Sequence, residues 1–188
     1  MSETGRQALA VLGAARRILV VGPCGAGKST FAKQLASLRG LPLWHMDRVH
    51  WRPGWVPLEK AALAEEVQAI VEGEAWVIDG TYASSLMERL SHTQLVVHLD
   101  YPRSVYMPRL FKRLVQNAGR TRPDMAPGCP ERVTFDFLRY AWRFSDTQRP
   151  QLVRAISYSR VMELRLDRPA GAARVLSGLR TSLAQPLV

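Results

Sequence analysis

The feature of this sequence that most constrains its fold is a glycine-rich segment that satisfies every fixed position of the pattern G-x-x-x-x-G-K-[ST]. A phosphate chain needs several backbone N–H donors converging on one point, and glycine lets the backbone curl tightly enough to supply them. An apolar run at residues 18–21 precedes the segment, and Phe31, Leu35 and Leu38 follow it at helical spacing. Strand, loop and helix in this order are the context that a phosphate-binding loop requires, with the positive end of the helix towards the phosphates. We therefore expect nucleotide phosphates to be bound by Gly22, Pro23, Cys24, Gly25, Ala26, Gly27, Lys28, Ser29 and Thr30.

Two side chains of this phosphate-binding loop, residues 22–29, are predicted to have a chemical role. Lys28 is expected to reach the β- and γ-phosphates of ATP, and the hydroxyl of Ser29 is expected to ligate Mg²⁺. The alternative, a chance glycine-rich turn, is disfavoured because the pattern is complete and correctly flanked. Cys24 is either a redox-sensitive thiol or a small residue that fills the loop, and the second interpretation is the simpler one.

The rest of the chain alternates between two kinds of apolar pattern. Runs typical of buried strands occupy residues 18–21, 43–46, 76–78, 95–99 and 160–166, and helices are expected at 58–72, 103–118, 135–144, 149–158 and about 170–182. This alternation predicts an α/β protein with a mainly parallel sheet, helices on both faces and ligands at the carboxyl ends of the strands. Together with the phosphate-binding loop it indicates the P-loop NTPase class of fold. Residues 119–130 combine glycine, proline and charge without apolar periodicity, and we expect a mobile loop there.

Length and cysteine content limit the possible classes of protein. A chain of 188 residues fits one domain, residues 1–188, which is large enough to bury about 70% of its unfolded surface. Residues 1–16 are expected to be a leading tail or a short helix. The two cysteines, Cys24 and Cys129, form neither a disulfide framework nor a metal-ligand cluster, which favours the cytoplasm. No apolar run approaches the ~20 residues that a membrane span needs, so no membrane partner is expected.

The net charge of +10 comes from 22 arginines and only four lysines, against 16 acidic residues. The planar guanidinium of arginine suits bidentate phosphate contacts, so the excess indicates either nucleic acid or a phosphorylated small molecule. The arginines are dense between Arg103 and Arg160 instead of forming a tail. This distribution favours a phosphate site within the fold over a DNA-binding arm.

Two aspartates are placed where a phosphate-transfer site needs acids. Asp79 ends an apolar strand, where it can bind Mg²⁺ directly or through water, although an aspartate before glycine is also ordinary turn chemistry. Asp47 follows the second strand, where a carboxylate can orient an acceptor hydroxyl or take its proton. The alternative for Asp47 is a helix cap or a surface ion pair with Arg48. Tryptophans 44, 51 and 55 either form an aromatic wall for a planar substrate or pack in the core.

Several segments together resemble a known family. They are the phosphate-binding loop, His45-Met46-Asp47 with Trp51-Arg52-Pro53-Gly54-Trp55, the run Trp76-Val77-Ile78-Asp79-Gly80-Thr81-Tyr82, Gly119 to Met125, and Gly128-Cys129-Pro130-Glu131. They resemble the adenylate-kinase-related P-loop proteins known as DNA topology modulation proteins, over roughly residues 17–180. The wider resemblance to nucleoside monophosphate kinases implies a sheet in the order 2-3-1-4-5, an acceptor region after the second strand, and an arginine-bearing lid at about residues 119–148.

The resemblance also implies roles for individual arginines. Arg113 and Arg120 resemble the arginines at the start of the lid, where one stacks on adenine and another contacts phosphates, and Arg122 lies beside them. Arg143 and Arg149, near the return of the lid, are expected to reach the transferring phosphoryl group. Adenylate kinase has Phe-Pro-Arg after its Asp-Gly, whereas this chain has Thr81-Tyr82-Ala83. An arginine that would hold an acceptor phosphate is therefore missing.

Three functions are compatible with these patterns. The first is an ATP- and Mg²⁺-dependent kinase for a small-molecule, possibly phosphorylated, acceptor near Asp47, in which Lys28 and the lid arginines stabilise the transferred phosphoryl group. The second is a DNA-associated ATP-binding protein that affects DNA topology. Because no base-reading module is evident, its DNA contact would be electrostatic and sensitive to salt. The third is a nucleotide-binding regulatory module with little turnover. The sequence names neither the acceptor nor the oligomeric state.

Overall fold

A parallel five-stranded sheet lies at the centre of the computed structural model, which describes residues 3–184. The strands are β1 Arg17–Val21, β2 Leu43–His45, β3 Trp51–Arg52, β4 Val56–Pro57, β5 Trp76–Asp79, β6 Leu95–Leu99 and β7 Met162–Leu166. The helices are α1 Glu3–Ala14, α2 Lys28–Arg39, α3 Met46–His50, α4 Lys60–Val71, α5 Leu86–His92, α6 Arg103–Asn117, α7 Phe135–Ser159 and α8 Pro169–Ala184, with a short 3-10 helix at Ala83–Ser85.

The order of the sheet is β2-β5-β1-β6-β7, and every pair of neighbours is parallel. Counted without the small antiparallel hairpin β3–β4, this is the predicted order 2-3-1-4-5, so the predicted fold class is confirmed. In register, Val20 of β1 lies beside Asp79 of β5, and Asp79 in turn lies beside His45 of β2. The carboxyl ends of these three strands therefore meet at one edge of the sheet.

Helices cover both faces of the sheet because its central strands β1, β5 and β6 carry buried, mostly apolar side chains on both faces. In β1, Ile18 and Val20 point into one core layer, and Leu19 and Val21 point into the other. The first layer is completed by side chains of α1, α2 and α8, and the second by side chains of α4, α5 and α7. A strand buried on both faces reads as a continuous apolar run, as this one does.

One predicted boundary is wrong. The two helices expected at 135–144 and 149–158 form the single helix α7, which passes through Pro150 without ending. The buried side chains Phe144 and Leu152 lie on either side of the break, and both pack in the same core layer. Packing on both sides of an exposed proline outweighs the hydrogen bond that the proline ring removes.

Two further regions complete the architecture. The chain start contains α1, whose Leu12 is fully buried in the layer that also contains α8. Residues 46–57 form the one-and-a-half-turn helix α3 and the hairpin β3–β4. Within residues 3–184, no helix is both long and apolar enough to cross a membrane.

Candidate functional site

The phosphate-binding loop runs from the end of β1 to the first turn of α2 and lies against α6. Gly25 has a φ of +86°, and a Cβ atom there would come within 2.3 Å of the Tyr106 carbonyl oxygen. The close approach of α6 therefore requires glycine at this position. The Nε of Arg109 in α6 donates a hydrogen bond to the Gly25 carbonyl at 3.2 Å. Sequence reasoning missed Arg109, although its spacing of four residues from Arg113 places both on one helical face.

The loop residues have the properties that a nucleotide phosphate chain requires. Lys28 is half-buried and its Nζ donates to the Pro23 carbonyl at 3.1 Å, so the ammonium group lies over the loop itself. Ser29 and the exposed Thr30 follow in the first turn of α2, whose free N–H groups favour an anion. Cys24 is a half-buried free thiol beside the apolar side chains of α6. The donors, the cation and the hydroxyl of this loop fit bound ATP with Mg²⁺.

Asp79 lies at the end of β5, one strand away from the loop, and is buried. Its Oδ1 is 2.7 Å from Nδ1 of His45, which ends β2. Burial lowers the pKa of His45, but the hydrogen bond and the charge of Asp79 outweigh burial, so this pKa lies above its ordinary value. The protonated form of His45, paired with the Asp79 carboxylate, is therefore favoured at this end of the sheet. Carboxylate and hydroxyl oxygens, which Asp79 and Ser29 supply, are the hard ligands that Mg²⁺ prefers, so their joint role in holding the ion stays a prediction.

The three residues after Asp79 connect the phosphate-binding loop to the acceptor side. The Thr81 hydroxyl accepts a hydrogen bond from the Gly22 N–H at 3.1 Å and donates one to the Gly22 carbonyl at 2.8 Å. The hydroxyl of the next residue, Tyr82, donates to Oδ1 of Asp47 at 2.6 Å. Gly80 has a φ of +126°, and a Cβ atom there would lie 2.7 Å from Cβ of Met46. Asp47 is thus bound by Tyr82, and Tyr82 is the neighbour of Thr81, whose side chain holds the start of the loop.

A fully buried arginine holds this turn in place. The guanidinium of Arg89 donates to the carbonyl oxygens of Gly80 at 2.6 Å, Thr81 at 2.8 Å and Tyr82 at 2.7 Å. Tyr82 has a φ of +24°, which is strained for a residue with a side chain and needs such support. Burial lowers the pKa of Arg89 to about 10, with the charge of Asp79 acting in the opposite direction. Arg89 was not singled out in the sequence because no local pattern marks an arginine that folds back on a turn.

Arg122 lies among three acids. Its Nη1 donates to Oδ2 of Asp124 at 2.9 Å, its Nε is 2.7 Å from Oε2 of Glu131, and its Nη2 is 3.7 Å from Oδ2 of Asp47. Burial raises the pKa of Asp124, but the charge of Arg122 and a hydrogen bond from Ser29 outweigh it and lower this pKa. Asp124 therefore lies beside the predicted Mg²⁺ ligand. No role for Asp124 is predicted from the sequence.

The remaining predicted arginines occupy different surroundings. Arg113 donates to Oε1 of Glu131 at 3.2 Å. Arg149 makes two hydrogen bonds to Asp100, at 2.7 and 2.8 Å, at the end of β6. Arg120 and Arg143 are exposed. The structure thus brings Arg113 and Arg122 to the acid group around Asp47, whereas Arg149 is bound to Asp100, and the roles of all these arginines at a phosphoryl group stay predictions.

The hairpin and the loop at residues 119–131 pack directly on one another. The Gly54 N–H donates to the Gly128 carbonyl at 2.9 Å, and Nε1 of Trp55 donates to the Pro130 carbonyl at 3.0 Å. Met125 and Cys129 are buried against Trp51 and Trp55. The loop contains no helix and one isolated bridge, as expected of irregular structure, but it is anchored to the hairpin. Of the three tryptophans, Trp51 and Trp55 pack edge to face in this small core, whereas Trp44 is 42% exposed on β2. Binding of a planar substrate by any of them stays a prediction.

The fold is shared with solved structures of kinases. A shikimate kinase from Acinetobacter baumannii, solved in complex with shikimate, superposes with a TM-score of 0.60 at 15% identity, covering 96% of this chain and 99% of its own. A shikimate kinase from Bacteroides thetaiotaomicron superposes with a TM-score of 0.55 at 18% identity, covering 92% of this chain and 100% of its own. No family model and no curated protein sequence matches this chain. At such identities the likeness establishes the P-loop kinase fold, and the resemblance to the topology modulation proteins stays a prediction.

Proposed function

We propose that this protein is a kinase that transfers the γ-phosphoryl group of ATP, with Mg²⁺, to a hydroxyl group of a small molecule. The observation that carries the proposal is the pair of neighbouring residues Thr81 and Tyr82. Thr81 binds the first glycine of the phosphate-binding loop, and Tyr82 binds Asp47. A carboxylate that can activate an acceptor is thus held at a fixed position relative to the loop. The shared fold with shikimate kinases supports the same reaction class.

The residues divide into those that hold the nucleotide and those that serve the acceptor. When bound, Mg-ATP supplies the phosphoryl group: the bond from the γ-phosphorus to the bridging oxygen breaks as the acceptor oxygen bonds to that phosphorus, and ADP leaves. Lys28, the N–H groups of the loop and Arg109 would hold the phosphates, while Ser29 and Asp79 would hold Mg²⁺. Charge stabilisation by preformed donors of this kind is the main contribution of protein to phosphoryl transfer.

Asp47 is suited to receive the proton that the acceptor hydroxyl loses. Its Oδ1 already accepts from Tyr82, which fixes the carboxylate, while Oδ2 is 3.7 Å from Arg122 and lies beyond an ordinary hydrogen bond. The side chain is 40% exposed, so a substrate can reach it. Asp47 would therefore orient the hydroxyl through Oδ2 and act as general base. No ion pair with Arg48 exists among the described residues, so that alternative for Asp47 is not supported.

The test is acceptor-dependent formation of ADP and of a phosphorylated product across a broad panel of hydroxyl compounds. For a compound that is turned over, Asp47→Asn should lower kcat about 100- to 10,000-fold and leave the affinity for ATP unchanged, because the base is lost and the loop is not. Asp136→Asn, on an exposed aspartate of α7, is the matched control. ADP release that never depends on an acceptor would contradict the proposal. DNA association and a purely regulatory role then remain as the alternative predictions.

A further inference from the structure

The loop at residues 119–131 brings a guanidinium to the proposed general base. The loop is closed at its base, where the Gly119 N–H donates to the Glu131 carbonyl at 3.0 Å. Between these two residues it carries Arg122, whose Nη2 lies 3.7 Å from Oδ2 of Asp47. Oδ2 is the oxygen that the proposed reaction assigns to the acceptor hydroxyl. The position of this loop therefore decides whether Arg122 lies beside the point of phosphoryl transfer.

The tip of the loop is attached to the turn of the hairpin β3–β4. The Gly54 N–H donates to the Gly128 carbonyl at 2.9 Å, and Sγ of Cys129 donates to the Arg52 carbonyl at 3.1 Å. A Cβ atom at Gly128 would lie 3.0 Å from Cβ of Pro53, so the two backbones approach more closely than a side chain allows. The loop is thus packed on the turn itself and not only on the strands of the hairpin.

Trp55, the last residue of this three-residue turn, has a strained backbone. Its φ is +66°, a region that bulky residues rarely adopt and that glycine usually occupies at this position of a hairpin. Such strain persists where surrounding contacts hold the residue, and it marks positions with a role. The contacts of Trp55 are with the loop and the residue after it. Its Nε1 donates to the Pro130 carbonyl at 3.0 Å, its ring packs with Cys129, and the Arg132 guanidinium lies 5.1 Å from the ring centroid.

Asp47 is held from a different direction. Its Oδ1 accepts from the Tyr82 hydroxyl at 2.6 Å, and the Tyr82 carbonyl accepts from the buried guanidinium of Arg89 at 2.7 Å. Neither Tyr82 nor Arg89 belongs to the loop or to the hairpin. Of the two groups that face the Asp47 carboxylate, Arg122 is therefore the one whose position depends on how the loop is attached.

We propose that Trp55 is a positioning residue of the kinase: its side chain fixes the loop on the hairpin and so keeps Arg122 beside Asp47. This inference rests on the proposed function. Trp55 acts through Arg122, whose guanidinium would stabilise the charge of the phosphoryl group as the acceptor oxygen bonds to phosphorus. When the contacts of Trp55 are lost, the loop remains closed at its base but its tip leaves the hairpin, and Arg122 leaves the transfer point with it.

Hydrogen exchange followed by mass spectrometry tests the attachment without any substrate. Trp55→Ala keeps a side chain at the same positive φ, so it isolates the loss of the indole. Amides of residues 119–131 should exchange at least about tenfold faster in this variant, with no change in the phosphate-binding loop. Trp55→Phe, which keeps a ring and loses the N–H, should give an intermediate rate.

The matched control is Trp142→Ala. Trp142 is a 54% exposed tryptophan on α7 that also lies against an arginine, with the Arg103 guanidinium 4.6 Å from its ring centroid. Exchange at residues 119–131 should not change in this variant. Unaltered exchange in Trp55→Ala, or equal acceleration in Trp142→Ala, would overturn the inference.

A double-mutant cycle tests whether Trp55 acts through Arg122. With an acceptor that is turned over, Trp55→Ala should lower kcat about tenfold and leave the affinity for ATP unchanged. In an Arg122→Gln background, Trp55→Ala should have almost no further effect on kcat, because the group that it positions is already gone. A purely structural role would make the two losses multiply. Multiplied losses, or weaker ATP binding in Trp55→Ala, would contradict the role of Trp55.

The outcome for this inference is distinct from the outcome for the proposed function. Unaltered exchange in Trp55→Ala would overturn the inference and leave the kinase function standing, since that function depends on the phosphate-binding loop and Asp47. A lack of phosphorylated product from every acceptor would overturn the kinase function. Faster exchange in Trp55→Ala would still support attachment of the loop by Trp55.

Discussion

The two halves of the site are built by different means. The donor half, residues 22–29, is a single short segment: α6 approaches its backbone closely at Gly25, and the side chains of Arg109 and Thr81 bind its backbone groups. The proposed acceptor half is assembled from three separate stretches of chain, which contribute Asp47, Tyr82, and Asp124 with Glu131. Side-chain hydrogen bonds and ion pairs connect these stretches.

This difference implies different tolerance to change. A backbone cradle depends on close approach and fails when a side chain is inserted, whereas a side-chain network loses one interaction at a time. Substitutions in the donor half should therefore affect ATP binding and turnover together. Substitutions in the acceptor half should leave ATP binding intact. Four experiments test this distinction, in order of decreasing expected effect.

The largest effect is expected for Lys28→Ala. Removal of a preformed cation at a site of charge transfer costs about 100- to 1000-fold in kcat. Because the Lys28 ammonium makes one hydrogen bond, to the Pro23 carbonyl, the melting temperature should change little. The matched control is Lys33→Ala, on an exposed position of the same helix. Steady-state kinetics and calorimetric ATP titration check the result, and an active Lys28→Ala protein would disprove the role of the loop.

The second effect concerns the backbone of the phosphate-binding loop. Gly25→Ala forces a Cβ atom to within 2.3 Å of a backbone oxygen at a φ of +86°, so it should destabilise the protein by about 3 kcal/mol and abolish ATP binding. Gly40→Ala is the control, because its φ of +62° is similarly positive but open space surrounds it. That variant should cost only about 1 kcal/mol and bind ATP normally. If Gly25→Ala and Gly40→Ala lost the same free energy of unfolding in urea, close packing against α6 would not be what shapes the loop.

The third effect belongs to the acceptor half. Tyr82→Phe removes a hydroxyl that donates to Asp47 and accepts from Trp51, and should cost about 1–2 kcal/mol of unfolding free energy. ATP affinity should be unchanged, while kcat/KM for an acceptor should fall about tenfold. Tyr158→Phe, on an 81% exposed tyrosine, is the control. A loss of ATP affinity in Tyr82→Phe would show that the two halves are not separable.

The smallest effect concerns pH. The pKa of His45 is raised above its ordinary value of 6.5, so its pair with Asp79 contributes stability that is fully present below pH 6.5 and is lost as the pH rises through the raised pKa. The difference in unfolding free energy between wild type and His45→Gln should therefore be greatest in mildly acidic solution and shrink towards alkaline pH. The control is His92→Gln, which leaves the His45–Asp79 pair intact. Its difference from wild type should not show the loss of that pair's contribution as the pH rises. A difference that grows with pH would contradict the assignment.

Much of the fold could be predicted because its signals are local. The apolar runs of β1, β5 and β6 and the complete loop pattern each identify their structure within about ten residues. The continuity of α7 through Pro150 could not be predicted in this way, because it depends on contacts of Phe144 and Leu152 with residues far away in the chain. Likewise, the sequence predicts a mobile loop at residues 119–130, and nothing in that segment indicates that the hairpin anchors it.

The sequence by itself determined the phosphate-binding loop, the class of fold and the position of Asp79 at a strand end, because a turn and its flanking strand and helix are properties of one contiguous segment. Only the tertiary structure decided which side chains meet. It placed Arg122 among Asp47, Asp124 and Glu131, joined Thr81 to Gly22, and committed Arg89 to a turn. Thr81 and Gly22, and Arg122 and Asp47, are far apart in the chain, so no local pattern specifies that they meet.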